Sequence, residues 1–247
     1  APPRFNALDF WPMVREQGVT WFSAVPSMHQ ALLSRAGRGK AGEIESERLR
    51  FIRSCSAALP ATVMREMEDR FGVPVLEAYG MTEAAHQMAS NPLPPAQRYP
   101  GAVGFGTGVG IGIMDDAGDL LDRGAQGEVV IQGPNVTAGY EDNPEANAAS
   151  FTNGWFRTGD RGYLDERDCL YLVGRIKELI NRSGEKISPL EIDEVLLSHP
   201  AVSEAVAFGV PHRVHGEEPA AAVVLSAPAA ERELIQWCRE SLAPFKC

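Results

Sequence analysis

Over residues 1–90 the apolar positions switch repeatedly between helical spacing and short continuous runs. Phe10, Trp11, Met13 and Val14 mark a helix that Gly18 ends, and Val19–Val25 reads as a strand. Pro26 stands where a first helical turn tolerates proline, ahead of Met28, Ala31, Leu32 and Leu33. The unit then recurs. Leu49–Ser54 is a strand, Leu59 and Pro60 a turn, Val63–Phe71 an amphipathic helix closed by Gly72, and Val75–Tyr79 a further strand. Strands alternating with helices predict a parallel sheet in an α/β subdomain, with ligands at the carboxyl ends of the strands. The loops at those ends are Ser54–Ala58 and Tyr79–Glu83.

After residue 91 the pattern changes. Pro92, Pro94, Pro95 and Pro100 mark a linker, and Gly104, Gly106, Gly108, Gly110 and Gly112 recur at every second position, as in a strand with one bare face. No Gly-x-Gly-x-x-Gly fingerprint fits this run. Ile111–Met114, the turn Asp115–Gly118 and Glu128–Gln132 predict hairpins, and Asn143 has the chemistry of a helix cap. Trp155–Leu164 and Cys169–Val173 flank the polar turn Asp165–Asp168 as a β-hairpin. Pro189–Leu197 is a helix with Glu191, Asp193 and Glu194 toward its N-terminus, where acids suit the helix dipole. Val202–Val210 and Ala220–Leu225 read as strands and Glu231–Leu242 as a helix, together an α+β module.

Several residues carry candidate chemistry. Asp160 lies on the first hairpin strand behind Thr158 and Gly159, and Arg175 follows the second strand. A carboxylate accepts both hydroxyls of a vicinal diol, and a guanidinium presents a rigid fork to ribose or phosphate oxygens, so the pair suits a ribose. In Tyr79–Glu83, Gly80 permits a tight strand exit, Thr82 offers a hydroxyl to a phosphate oxygen, and Glu83 is a hard oxygen ligand for magnesium. Thr82 and Glu83 read equally as a helix cap. The small side chains of Ser54, Cys55, Ser56, Ala57 and Ala58 let a ligand approach the backbone. Ser56 and His86 offer two donors where a fatty-acid pocket would be apolar, which suits a short acid with a second carboxylate, the imidazole protonated or donating to it. A structural histidine is the alternative.

Composition narrows the class. A chain of 247 residues, 44% hydrophobic and 23% charged, buries one large core or two smaller ones. A net charge of -10 opposes a nucleic-acid surface, which needs clustered lysines and arginines. No apolar run approaches the roughly 20 residues of a membrane span, and no signal peptide opens the chain, so a soluble protein of the cytoplasm is expected. Cys55, Cys169, Cys238 and Cys247 form no Cys-x-x-Cys pair and read as free, mostly buried thiols. His212 and His215 have the spacing of a metal pair, but without a third ligand no zinc site is assigned.

Tyr79–Glu83, Gly127–Gly133, Trp155–Asp160 and Gly174–Glu178, in that order, resemble the signatures of the adenylate-forming superfamily of acyl-CoA synthetases, luciferases and peptide-synthetase adenylation domains. The resemblance implies ATP, Mg2+ and coenzyme A as cosubstrates and cofactor. It places Tyr79 against the adenine with Gly80 also among the cofactor-binding residues, Thr82 on the α-phosphate, Glu83 on the metal, and Asp160 with Arg175 on the ribose. It further makes Lys177 a hinge and sets the turn Ser183–Lys186, with Gly184 and Lys186, along the pantetheine path. A solvated lysine is the alternative for Lys186. The implied organisation is a partial α/β nucleotide- and acyl-binding subdomain (1–95), a β-barrel-like subdomain ending in the ribose-binding hairpin (96–174) and a mobile α+β domain (175–247).

A narrower resemblance rests on Ser54–Ala58, Leu76–His86, Met88–Pro92, Gly133–Thr137, Asn143–Asn147, Gly174–Asn181 and Gly184–Ser188, which look like the oxalate–CoA ligase branch. That branch implies oxalate as the acid, with Ser56, Ala57 and His86 at the acyl site. A ligase for longer or aromatic acids, an adenylation domain serving a carrier protein and a non-catalytic nucleotide-binding remnant are the alternatives. The superfamily's upstream Ser/Thr-Gly-Thr phosphate loop and its late Gly-Lys segment do not occur in these residues, and Lys246 does not replace the late lysine by position. The chain is therefore expected to be a fragment with negligible catalysis by itself. A peroxisomal address is open if a C-terminal targeting tripeptide follows.

Overall fold

The computed structural model describes residues 5–35 and 48–247. The chain divides into two units, one of Ala1–Ile111, Ile131–Phe156 and Leu164–Tyr171, the other of Gly112–Val130, Arg157–Tyr163 and Leu172–Cys247.

In the first unit α1 (Phe10–Glu16), β1 (Trp21–Ala24), α2 (Pro26–Arg35), β2 (Phe51–Ser54), α3 (Ala61–Phe71) and β3 (Val75–Met81) follow the predicted alternation. The apolar face of α3 drives this layer: Val63, Met64, Met67 and Phe71 pack with Leu32, Ile52, Leu59 and Val75. Gly72 ends the helix in the left-handed region, φ +67°, and its N–H returns to the Glu68 carbonyl. The Glu68 carboxylate then accepts from the Val75 amide at 2.8 Å, tying the start of β3 to the helix.

The expectation of a parallel sheet holds only through β3. The sheet has the order β1-β2-β3-β4-β5, and β4 (His86–Ser90) and β5 (Phe105–Gly106) join it antiparallel. The chain reverses within a single 3-10 turn, Thr82–Ala84, helped by left-handed backbone at Ala85 and His86. This also corrects the role given to Gly80, which lies inside β3 rather than at a strand exit. A Cβ there would stand 1.6 Å from the His86 carbonyl oxygen, so glycine is needed for close approach of two backbones. The proline-rich stretch is likewise no loose linker: Asn91, buried, accepts from the Tyr99 amide at 2.8 Å and donates to the Ala102 carbonyl at 2.5 Å.

The glycine run is not one strand. Gly104 and Gly108 both have φ +91°, which splits it into β5 and β6 (Gly110–Met114). β7 (Gly127–Gln132), α4 (Pro144–Ser150), β8 (Phe151–Thr152), β9 (Trp155–Leu164) and β10 (Leu170–Arg175) follow, and the sheet order is β10-β9-β7-β6. Asn143 caps α4 as expected, its side chain accepting from the Ala146 amide. In the β9–β10 turn the Asp165 carboxylate accepts from the Arg167 and Cys169 amides, and Asp168 takes φ +64°.

In the second unit β11 (Ile180–Arg182), β12 (Glu185–Ile187), α5 (Pro189–Leu197), β13 (Val202–His212), β14 (Gly216–Leu225) and α6 (Glu231–Ser241) give a sheet of order β12-β11-β14-β13. Leu234 and Cys238 of α6 join Ile192 and Leu196 of α5 over Ile180, Ile187, Val202 and Ala207. Ser188 caps α5, accepting from the Glu191 amide and donating to the Val173 carbonyl. The expected turn Ser183–Lys186 narrows to Ser183 and Gly184, with φ +53° and +93°, while Glu185 and Lys186 belong to β12. Two consecutive positive φ values are what a two-residue hairpin turn requires. The four cysteines are free.

Candidate functional site

The 3-10 turn at the end of β3 is braced from residues 133–140. The Thr137 amide donates to the Glu83 carbonyl at 2.6 Å, the Asn135 side chain to the Ala84 carbonyl at 2.8 Å, and the Tyr140 hydroxyl to Glu83 Oε1 at 2.8 Å. The hydrogen bond to Glu83 holds the Tyr140 phenol above its ordinary value, so it stays a donor. Glu83 is half-buried and Thr82 exposed. Sequence reading missed Tyr140, whose contact spans 57 positions.

The Ser54–Ala58 loop is set by Glu77, also missed. Its buried carboxylate, on β3, accepts from the Leu59 amide at 2.8 Å. Ser56 takes φ +71° and its hydroxyl lies against the Cys55 sulfur at 3.7 Å. Tyr79 is buried in β3, with Gly80 beside it.

On the sheet face bearing Arg53 and Cys55 lies a cavity of about 770 Å³ whose wall includes Trp21, Ser23, Phe51, Leu76, His86 and Gln87. His86 is exposed in it rather than buried, with φ +84°, a conformation rare without glycine. Its Nε2 faces Arg53 Nη2 at 3.4 Å. Ser56 and Ala57 do not line this cavity, so the structure does not gather the three proposed acyl contacts in one wall. Arg53 was not singled out by sequence because a charged residue in a short strand reads as a solvated position.

In the second unit Asp160 and Arg175 meet. Arg175 Nε lies 2.9 Å from Asp160 Oδ1, with side-chain exposures of 53% and 10%. Arg175 Nη1 also donates to the Thr158 carbonyl at 3.3 Å. Thr158, buried, donates to the Val129 carbonyl at 2.7 Å and accepts from the Asp160 amide at 3.1 Å, while Gly159 turns the strand at φ +74° and donates to Glu128 at 2.9 Å. Local backbone thus fixes the aspartate.

Lys177 is exposed in the 3-10 turn Ile176–Glu178, and Gly184 and Lys186 are exposed in the β11–β12 hairpin. The Ser183 turn is held by His215, through the Ser183 amide to the His215 carbonyl and Ser183 Oγ to Nδ1, each 2.8 Å. A third ligand for the histidine pair, absent by sequence spacing, does come near: Glu218 stands with His212 and His215. Both its oxygens, however, are engaged by Arg182 at 2.8 and 3.0 Å.

Comparison with known proteins decides the family. Residues 1–141 match the family model for the AMP-binding enzyme, and residues 191–247 that for the AMP-binding enzyme C-terminal domain. The chain belongs to the AMP-binding enzyme family. Among its relatives in that family, an oxalate–CoA ligase of Arabidopsis thaliana is 51% identical across 100% of this chain and 48% of its own length. An oxalate–CoA ligase of Saccharomyces cerevisiae is 47% identical across 99% and 45%. The solved structure of ATP-bound MatB from Rhodopseudomonas palustris matches with a TM-score of 0.90 at 35% identity, covering 100% of this chain and 48% of that one. The chain spans about half the length of the curated relatives it matches. No described helix is long and apolar enough to cross a membrane.

Proposed function

We propose that this chain carries the substrate-binding elements of an AMP-forming acid–CoA ligase whose acid is oxalate. The observation that carries the reading is the cavity wall containing His86: among apolar side chains such as Trp21, Phe51 and Leu76 it sets an imidazole, a guanidinium and a hydroxyl, polar groups a fatty chain would leave unpaired. The names of the Arabidopsis and yeast relatives support the same acid.

A carboxylate is a poor electrophile. One oxalate oxygen attacks the α-phosphorus of ATP, pyrophosphate leaves and an acyl adenylate forms; the sulfur of coenzyme A then attacks the acyl carbon and AMP leaves. On this reading Thr82 donates to the α-phosphate, Tyr79 and Gly80 border the adenine, and Asp160 accepts the ribose hydroxyls with Arg175 holding its orientation. His86 borders the acid from the cavity wall, and Ser56 and Ala57 approach it only from the neighbouring Ser54–Ala58 loop. Lys177 is the hinge about which residues 175–247 turn between the half-reactions, and Gly184 and Lys186 border the pantetheine.

Mg2+ fits Glu83. Its carboxylate is half-buried, only Oε1 is taken by Tyr140 among the described residues, and magnesium is commonly held by one or two carboxylates plus substrate phosphates. When bound, the ion neutralises phosphate charge; Glu83 and Tyr140 position it. The test is ATP–pyrophosphate exchange by the full-length protein with a panel of small carboxylic acids. Oxalate should drive exchange best, and exchange driven equally by a fatty acid would overturn the proposal.

A further inference from the structure

Resting on the reading above, we propose that Arg53 receives the second carboxylate of the acid, with His86 as its neighbour in the cavity wall. Arg53 sits in β2 between Ile52 and Ser54, whose side chains are buried, so strand alternation turns it to the opposite face and into the cavity wall. Nη1 donates to Ser23 Oγ at 3.2 Å and Nη2 to Gln87 Oε1 at 3.2 Å, with His86 Nε2 at 3.4 Å. These groups on β1 and β4 hold the fork from two sides.

None of them supplies a negative charge. Among the described residues no carboxylate pairs with Arg53, although the chain carries 33 acidic side chains against 23 basic ones. Arg98, Arg157, Arg167, Arg175 and Arg182 each face an acid. A guanidinium does not lose its proton, and one set beside Trp21, Phe51, Leu76 and Phe105 has surrendered part of its water. An anion entering the cavity restores what that charge lacks.

Guanidinium nitrogens only donate, and Nε2 of His86, 3.4 Å from Arg53 Nη2, stands where it can accept. The neighbouring thiol registers the field: burial raises Cys55, but hydrogen bonds from Ser23 and Ser56 and the charge of Arg53 outweigh it and hold the thiol below its ordinary value.

In oxalate the two carboxylate carbons are bonded directly to each other. When one is committed to the phosphorus of ATP, the other remains anionic, and a fixed fork matches its two oxygens. The ligand class is thus a short acid with a second anionic group next to the reacting carboxylate.

The experiment uses the full-length enzyme with Arg53→Gln and Arg53→Lys, oxalate and acetate as acids, and ATP varied separately. Arg53→Gln should raise KM for oxalate about 30-fold while KM for ATP and use of acetate stay within about two-fold. Arg53→Lys should recover part of the loss. On the unaltered enzyme, oxalate should shield Arg53 from phenylglyoxal, read by peptide mass spectrometry, which needs no variant. Unchanged oxalate KM in Arg53→Gln, or modification of Arg53 at the same rate with saturating oxalate, would overturn the inference while leaving the ligase intact. An unaltered enzyme that prefers acetate to oxalate would instead overturn the underlying function.

Discussion

Arg175 approaches Asp160 at 2.9 Å, yet the aspartate is buried and the arginine half in solvent. The asymmetry suits an aspartate whose main chain is held by Thr158 and a cation that adjusts to what binds. In the full-length protein Asp160→Asn should raise KM for ATP by roughly 30-fold, since hydrogen bonds to an ionised acceptor are the stronger kind. Arg175→Gln should cost less. Steady-state kinetics with ATP varied checks both, and a larger effect at Arg175 would contradict this division.

The Tyr140 hydroxyl at 2.8 Å from Glu83 predicts a second pair of outcomes. Glu83→Gln should lower activity by more than about 100-fold, because a neutral amide is a poor magnesium ligand. Tyr140→Phe should only raise the Mg2+ concentration for half-maximal rate, by about three-fold, the loss of one orienting hydrogen bond. Magnesium titrations of the two variants separate ligand from brace.

Gly80 and Gly72 should answer alanine differently. At Gly80 the added methyl meets backbone at 1.6 Å, and Gly80→Ala should cost more than about 3 kcal/mol or prevent folding. At Gly72 nothing lies within 4 Å and only φ +67° resists, so Gly72→Ala should cost about 1 kcal/mol. Urea midpoints decide.

A buried histidine and a half-buried aspartate set opposite pH responses. Burial holds the His29 imidazole down at about 4, against 6.5 ordinarily, so the unfolded chain takes a proton that the folded one refuses. Stability tied to His29 is full above pH 6.5 and falls, by up to about 3 kcal/mol, toward pH 4. Burial instead raises Asp193 to about 6, so its contribution is more favourable near pH 4 and declines as pH rises through 6. Hydrogen exchange between pH 4 and 7 should show the first effect around α2 and lose it in His29→Leu. It should show the second around α5 and lose it in Asp193→Asn.

Much of this was legible in the sequence where one rule acted locally. Periodicity gave α3, α5 and α6 nearly to the residue, and the polar turn Asp165–Asp168 gave the β9–β10 hairpin. β11 and β12 escaped because strands of three residues carry too little alternation to register, and β4 because His86–Ser90 holds no β-branched or aromatic residue. The glycine run misled because period two also results from glycines that break a strand, and only φ separates the cases. Glu77, Tyr140 and Arg53 escaped for another reason: their partners lie 18 to 57 positions away, so their chemistry exists only after folding.

The most direct test is the product itself. Full-length protein incubated with ATP, Mg2+, coenzyme A and an equimolar mixture of oxalate, acetate, benzoate and octanoate should yield oxalyl-CoA as the dominant thioester by mass spectrometry, with AMP formed in equal amount. A mixture dominated by any of the other three thioesters, or AMP released without a thioester, would contradict the account.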